Sequence, residues 1–375
     1  MQRKLSSDNR YMKNCWLPYL HAEIHTNGVV DPCCKTQYFE GWSNITDYHT
    51  ADRSEFEKDK TPICKACDVT SNQYSYKKQK MNFYKNIMKW QEPETVSLKS
   101  INVSLDNVCA SSCIMCNSSH STTIAALLGK HEKVSWDIDL LDSYLENIEV
   151  LHISGGEPLQ SPNLIKFCEK IKKTNIKEIS LCSGLSSNIL TKNLDALCNL
   201  NIPIFCRVSI DAPWDLNKWI RGLEQSDWEK NLSILKSRNI KIGWQITIGA
   251  YNVFALPELF DYLEIIDPDS QIMPSPIIHP NTHAVKQLPL EYKIKTKKKL
   301  MDYLKTKEKY REIIITASIL LNQPSDVNWN YCKSIMEKLP FLRNESHNLD
   351  HFIEKYINGS VAEWPNASAL KTEDR

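Results

Sequence analysis

The chain has 375 residues and a mass of 43.3 kDa, which is room for one large domain and a smaller one. Its 42% apolar and 24% charged content excludes wholesale disorder, and 46 Lys and Arg against 45 Asp and Glu leave a net charge of +1, which argues against a nucleic-acid binder relying on phosphate neutralisation. No uncharged apolar run approaches the ~18–20 residues of a membrane span, and Met1-Gln-Arg-Lys-Leu-Ser-Ser-Asp8 has no apolar core behind its charge, so neither membrane span nor signal peptide is expected and the expected location is cytoplasmic.

In a reducing compartment, the thirteen cysteines point to metal or cluster ligation wherever they are closely spaced. Residues 1–90 hold the first group: Cys15, Cys33, Cys34, Cys64 and Cys67. Residues 19–31 read as two short strands around Asn27-Gly28, and Cys33 and Cys34 follow at once. This piece is small and polar and is expected to need a metal staple.

From residue 96 the pattern becomes alternating strands and helices. Strands are expected at 100–106, 150–154, 178–182, 205–211, 241–248 and 271–278, with helices between them. Six βα repeats imply an α/β fold with a parallel sheet curled into a partial, TIM-like (β/α)6 barrel over 96–285. Three of the strands set apolar residues against a polar face: Asn102, Ser104 and Asp106; Arg207, Ser209 and Asp211; Gly243, Gln245 and Thr247. That alternation suits a lumen holding a polar ligand, because a strand buried on both sides reads apolar throughout. Arg207 is expected either to contact substrate or to pair with Asp106 or another inner carboxylate. His152 is expected in the core, and Trp214, Trp219 and Trp228 in packing.

A helical extension is expected over 286–358, opening with a Lys-rich amphipathic helix read as a solvated face. Residues 359–375 match no periodic pattern and are expected to be disordered.

The chemistry concentrates in two places. Cys109-Ala-Ser-Ser-Cys113-Ile-Met-Cys116 follows the first barrel strand, where βα folds keep their active-site loops. Three thiolates so close can hold three irons of a cubane cluster and leave the fourth open, whereas structural zinc needs a fourth ligand. Ser154-Gly155-Gly156-Glu157-Pro158 ends the second strand; its glycines admit close approach of a ligand to the backbone, and its carboxylate can accept from an ammonium group.

Together these motifs resemble the radical S-adenosylmethionine (SAM) superfamily over roughly residues 96–285. The resemblance implies a SAM-binding 4Fe–4S cluster on Cys109, Cys113 and Cys116, with the methionyl amine and carboxylate of SAM on the open iron. It implies Met115 near the adenine, Gly155, Gly156 and Glu157 at the methionyl amine, Ser183 at the ribose, Ser209 and Asp211 in the fourth-strand pattern, Arg221 at the SAM carboxylate, and His279 at the sixth strand beside adenine. Cys182-Ser183-Gly184 departs from the Thr-Asn-Gly of many relatives. The implied reaction is reductive cleavage of SAM to a 5′-deoxyadenosyl radical that takes hydrogen from a substrate, peptide or small molecule, with a reducing electron donor as partner. The N-terminal cysteines resemble the twitch or SPASM auxiliary-cluster modules, here ahead of the barrel rather than after it. That implies a second 4Fe–4S cluster on Cys15, Cys33, Cys64 and Cys67, with Cys34 as spare or exchange ligand. Zinc on the same four is the competing assignment. From another class, the alternative for the whole chain is a non-catalytic zinc-binding interaction protein, its barrel trio borrowing a ligand such as His120.

Overall fold

The computed structural model describes residues 15–33, 41–53, 56, 81–131, 133–186, 189 and 191–358. Cys34, Cys64, Cys67 and residues 359–375 lie outside them.

Eight strands are hydrogen-bonded in the order β2-β1-β3-β4-β5-β6-β7-β8. They are β1 (His21–Ile24), β2 (Val30–Asp31), β3 (Ser100–Ser104), β4 (Val150–Ser154), β5 (Glu178–Ser183), β6 (Ile204–Ser209), β7 (Lys241–Ile248) and β8 (Gln271–Pro276). The six expected barrel strands are β3 to β8, so the fold is α/β with a parallel sheet, consistent with a partial TIM barrel, and a helical C-terminus. Four helices follow the βα rhythm: α1 (Leu164–Ile171), α2 (Thr191–Cys198), α3 (Trp214–Arg221) and α4 (Gln225–Ser237). After β7 come α5 (Leu256–Ile266) and, beyond β8, α6 (Leu290–Leu304), α7 (Arg311–Leu321), α8 (Trp329–Met336), α9 (Lys338–Leu342) and α10 (Leu349–Asn358).

Contacts divide the chain into two compact units, which cut across the boundaries expected at 90, 96 and 285. The first comprises residues 1–108, 133–182 and 190–205; the second comprises 109–132, 183–189 and 206–375.

In the first unit the hairpin forms as expected but shorter: residues 17–20 are helical, since Pro18 sits in the first turn. It is also not separate from the sheet. β1 pairs antiparallel with β2 and parallel with β3, His21 opposite Ser100 and Ile24 opposite Val103. β3, β4 and β5 continue in parallel register. Leu164, Phe167, Cys168 and Ile171 are the buried stripe of α1, at the i, i+3, i+4, i+7 spacing of a helix covering a sheet. Cys15 and Cys33 pack on one apolar cluster with Trp16, Leu17, Tyr84 and Trp90.

In the second unit β7 and β8 pair in parallel, with Ile246 opposite Pro274 and Ile248 opposite Pro276. Two prolines are tolerable in β8 because it is the edge strand and its missing N–H groups deprive no further neighbour. Trp228 stacks with Trp244 and meets Trp214 edge-on, whereas Trp219 packs on Phe352 of α10. Among the described residues, no helix is long and apolar enough to cross a membrane.

Candidate functional site

The cysteine loop lies in the second unit, and its backbone is held at both ends. The carbonyl of Cys109 accepts from Thr123 N–H at 3.3 Å and Thr123 Oγ1 at 2.8 Å, while Ser121 Oγ donates to Ser111 C=O at 2.6 Å. Further on, Ser112 and Ile114 N–H donate to the carbonyls of Arg221 and Ile220, at 3.2 and 2.9 Å, tying the loop to the end of α3. That helix stops at Gly222, whose φ of +64° is the left-handed conformation a glycine supplies at a C-terminus. A Cβ there would stand 2.5 Å from Ser112 Oγ and 2.7 Å from Arg343 Nη1.

Arg343, from the C-terminal extension, donates through Nη1 to Ser112 C=O at 2.7 Å and Ser112 Oγ at 3.0 Å. Nothing in the sequence pointed to it. The same holds for His283, which is buried, with Nδ1 3.0 Å from Thr282 Oγ1 and Nε2 3.1 Å from Ile114 C=O. Burial pushes the His283 pKa down to about 4, so the ring is neutral at ordinary pH and, where Nε2 carries its proton, donates to the loop.

Beside the loop stands a buried charge pair. Arg221 Nη2 lies 2.7 Å from Asp211 Oδ2, and its Nη1 points at Cys113 Sγ at 3.8 Å. Asp211 also accepts Thr247 N–H at 2.7 Å, and its own N–H and C=O are held by Asn217 and Asn252. Burial raises the Asp211 pKa, and Arg221 opposes the rise. Arg221, expected at the SAM carboxylate, therefore already has an anionic partner within its own unit.

The three thiols are half-buried and free of disulfides. Burial raises the pKa of Cys113 and pushes Cys116 up to about 12, where the neighbouring Cys113 adds to the effect. Cys109 Sγ accepts from Ser111 N–H at 3.4 Å. Among the described residues, no three side chains of His, Cys, Asp or Glu stand close enough together to hold a metal ion. His120 is half-buried, with Nδ1 3.1 Å from Asn117 Oδ1. Met115 is half-buried in the turn between Cys113 and Cys116.

Of the remaining expected residues in this unit, Ser183 is buried and accepts Leu185 N–H at 3.0 Å; Ser209 is buried and His279 half-buried. Arg207 is half-buried, and its Nε has no hydrogen-bond partner. In the first unit, Asp106 accepts from Ser161 Oγ, Asn163 Nδ2 and Val108 N–H.

Gly155, Gly156 and Glu157 belong to the first unit, where the chain itself packs against the side of each glycine that would carry a Cβ. A Cβ on Gly155 would stand 2.3 Å from Ser104 Cβ, and one on Gly156 2.4 Å from the carbonyl oxygen of Val108. Glu157 N–H donates to that same carbonyl at 2.7 Å. Val108 immediately precedes Cys109 in the sequence, so the glycines let this segment lock onto the backbone leading into the cysteine loop. Glu157 itself is buried, and Oε1 accepts Leu159 N–H at 3.4 Å.

A Cys-x3-Cys-x2-Cys loop thus follows strand β3 of a parallel βα sheet. Residues 103–259 match the family model of the Radical SAM superfamily. That stretch is a radical SAM domain. No curated protein matches it. Among solved structures it is similar to native anSMEcpe with bound AdoMet, at a TM-score of 0.42 and 14% identity over 59% of this chain and 62% of that one. It is also similar to Streptococcus suis SuiB bound to precursor peptide SuiA, at 0.41 and 13% over 78% and 70%. The chain thus spans less than two thirds of anSMEcpe.

The family implies a 4Fe–4S cluster and SAM. The residues present fit them on chemical grounds. The donor set is three thiols in one short loop, none in a disulfide, and soft thiolate ligands suit iron–sulfur clusters. Tyr251, fully buried and under the electrostatic influence of Cys113, Asp211 and Arg221, has a hydroxyl with no hydrogen-bond partner. A buried orphan donor of this kind is expected where a polar group is still to be bound.

Proposed function

We propose that the chain binds a 4Fe–4S cluster through Cys109, Cys113 and Cys116 and SAM through the open iron, and abstracts hydrogen from a peptide or protein substrate. The observation that carries this is the cysteine loop itself: three thiols, anchored at both ends of their backbone, with a buried arginine aimed at the middle one. When bound, the cluster supplies the electron that splits SAM into methionine and a 5′-deoxyadenosyl radical.

The chain's own residues bind, orient and exclude water. The cysteines give up their protons on ligation, which the raised pKa values of Cys113 and Cys116 oppose, so loading takes up metal and releases acid. Arg221, anchored by Asp211, holds positive charge against Cys113 and offsets the negative charge that three thiolates bring. We assign Met115 to the adenine, Ser183 to the ribose, Gly155, Gly156 and Glu157 to the methionyl amine, and Ser209 and His279 to the walls of the SAM site. In this assignment Arg221 meets the SAM carboxylate while keeping its Asp211 anchor.

A second 4Fe–4S cluster on Cys15, Cys33, Cys64 and Cys67 is part of the proposal. Its support is that Cys15 and Cys33 pack on a single apolar cluster. The peptide substrate is proposed from the resemblance of those cysteines to auxiliary modules whose bearers often modify peptides. A reducing electron donor and a cytoplasmic location complete it.

The test is iron, sulfide and zinc per chain after anaerobic reconstitution. About eight irons with equal sulfide support two cubane clusters. About four irons plus one zinc keep the radical enzyme and make the N-terminal site a structural clip. Zinc without iron favours the non-catalytic interaction protein.

A further inference from the structure

Helix α6 is apolar on two sides, and one of them is open. Lys293, Thr296, Leu300 and Leu304 are its buried residues. Leu290, Ile294 and Met301 are 73%, 60% and 36% exposed. At ~100° per residue, these three fall with Lys297 and Lys298 on a single stripe about 100° wide. The turn running from Leu321 to Ser325 after α7 forms the facing wall, and between them lies a groove of about 710 Å³. That volume is within the ~300–1,000 Å³ typical of binding pockets.

The charge of the groove is one-sided. Lys293, Lys297 and Lys298 line it, with no Asp or Glu. Lys293 donates to Gln323 C=O at 2.8 Å and Ser325 Oγ at 2.9 Å, and Lys297 to Asn322 Oδ1 at 3.0 Å, so neutral oxygens hold both. Two carboxylates near the margins are taken, Asp326 by Lys286 at 2.6 Å and Asp302 by Lys305 at 2.6 Å, while Glu291 stands on the helix beside the stripe. The sequence reading of α6 as a merely solvated charged face leaves the exposed Leu290, Ile294 and Met301 unexplained.

We propose that this groove docks an acidic amphipathic segment of a polypeptide. Apolar side chains spaced three and four apart would lie on Leu290, Ile294 and Met301, and flanking carboxylates would meet Lys297 and Lys298. The docking is an equilibrium that needs neither cluster nor SAM, so it stands or falls separately from the reaction proposed above.

The probe is a fluorescein-labelled peptide of about fourteen residues built from Glu, Ala and Leu, with leucine at i, i+3, i+4 and i+7, followed by anisotropy against the full chain. Saturable binding is expected, weakened about tenfold or more by Lys297→Glu/Lys298→Glu and by Leu290→Ser/Ile294→Ser, with no binding of a Lys-for-Glu probe. Circular dichroism checks that both variants fold; their replaced side chains lie on the open stripe. Equal binding of acidic and basic probes, no saturation at millimolar protein, or affinity unchanged by both variants overturns the proposal. So does sedimentation showing a dimer that Leu290→Ser/Ile294→Ser dissolves, because the occupant is then a second copy of the chain.

Discussion

Replacing Arg221 by glutamine isolates the charge pair beside the cysteine loop. Both side chains are almost out of water, 8% and 0% exposed, at 2.7 Å. At a charge separation near 4 Å and an effective dielectric of ~20, their attraction is about 4 kcal/mol, against ~0–1 kcal/mol for an exposed pair. Removing one partner of a buried pair strands the other, at a typical cost of about 3–5 kcal/mol. The loss has a definite pH dependence. Burial already raises the Asp211 pKa, and without the guanidinium that opposes this it rises further. A carboxyl with a folded pKa above its unfolded value favours folding in its protonated form, so its penalty grows as pH rises through the usual carboxylate range and above. Urea denaturation of the metal-free, reduced protein should therefore show Arg221→Gln losing about 3–5 kcal/mol at pH 8 and distinctly less at pH 5. Asp211→Asn in the same chain should recover part of the loss. A loss below about 1 kcal/mol, or one equal at both pH values, would refute the buried-pair reasoning.

His283 gives a prediction of opposite origin. Its folded pKa of about 4 lies below its unfolded value of 6.5, so the unfolded chain binds the extra proton and stability is lost as pH falls from about 6.5 towards about 4; His283→Gln should flatten that limb, and an unchanged acid transition contradicts the assignment. Gly156→Ala should cost about 1–3 kcal/mol and lower iron loading, because its Cβ meets the Val108 carbonyl; thermal unfolding and iron per chain measure both, and wild-type values for both count against the locked-turn account. Arg343→Ala should lower iron retention during gel filtration by freeing the Ser112 backbone, and full retention contradicts its positioning role.

The βα rhythm was legible because periodicity is a local signal. Alternation at 100–106 and 241–248 marked β3 and β7 correctly. What was illegible is non-local. Asn27-Gly28 announces a hairpin but says nothing of which strand its outer edge will meet, and β1 meets β3 in parallel. Gly155 and Gly156 do not say in the sequence which segments will pack against them; in the fold these are Ser104 and Val108. Arg221 sits ten residues after Asp211, on the last turn of α3, and only the fold turns it back to make the pair. His283 and Arg343 lie far down the chain from the loop they hold, with no motif around them.

The most direct test of the account is formation of 5′-deoxyadenosine from SAM by the anaerobically reconstituted, dithionite-reduced protein. The account predicts 5′-deoxyadenosine and methionine in equal amounts, abolished in Cys109→Ala/Cys113→Ala/Cys116→Ala protein that still folds. Iron-loaded protein that leaves SAM intact, or a triple variant that cleaves it as well as the parent, would contradict it.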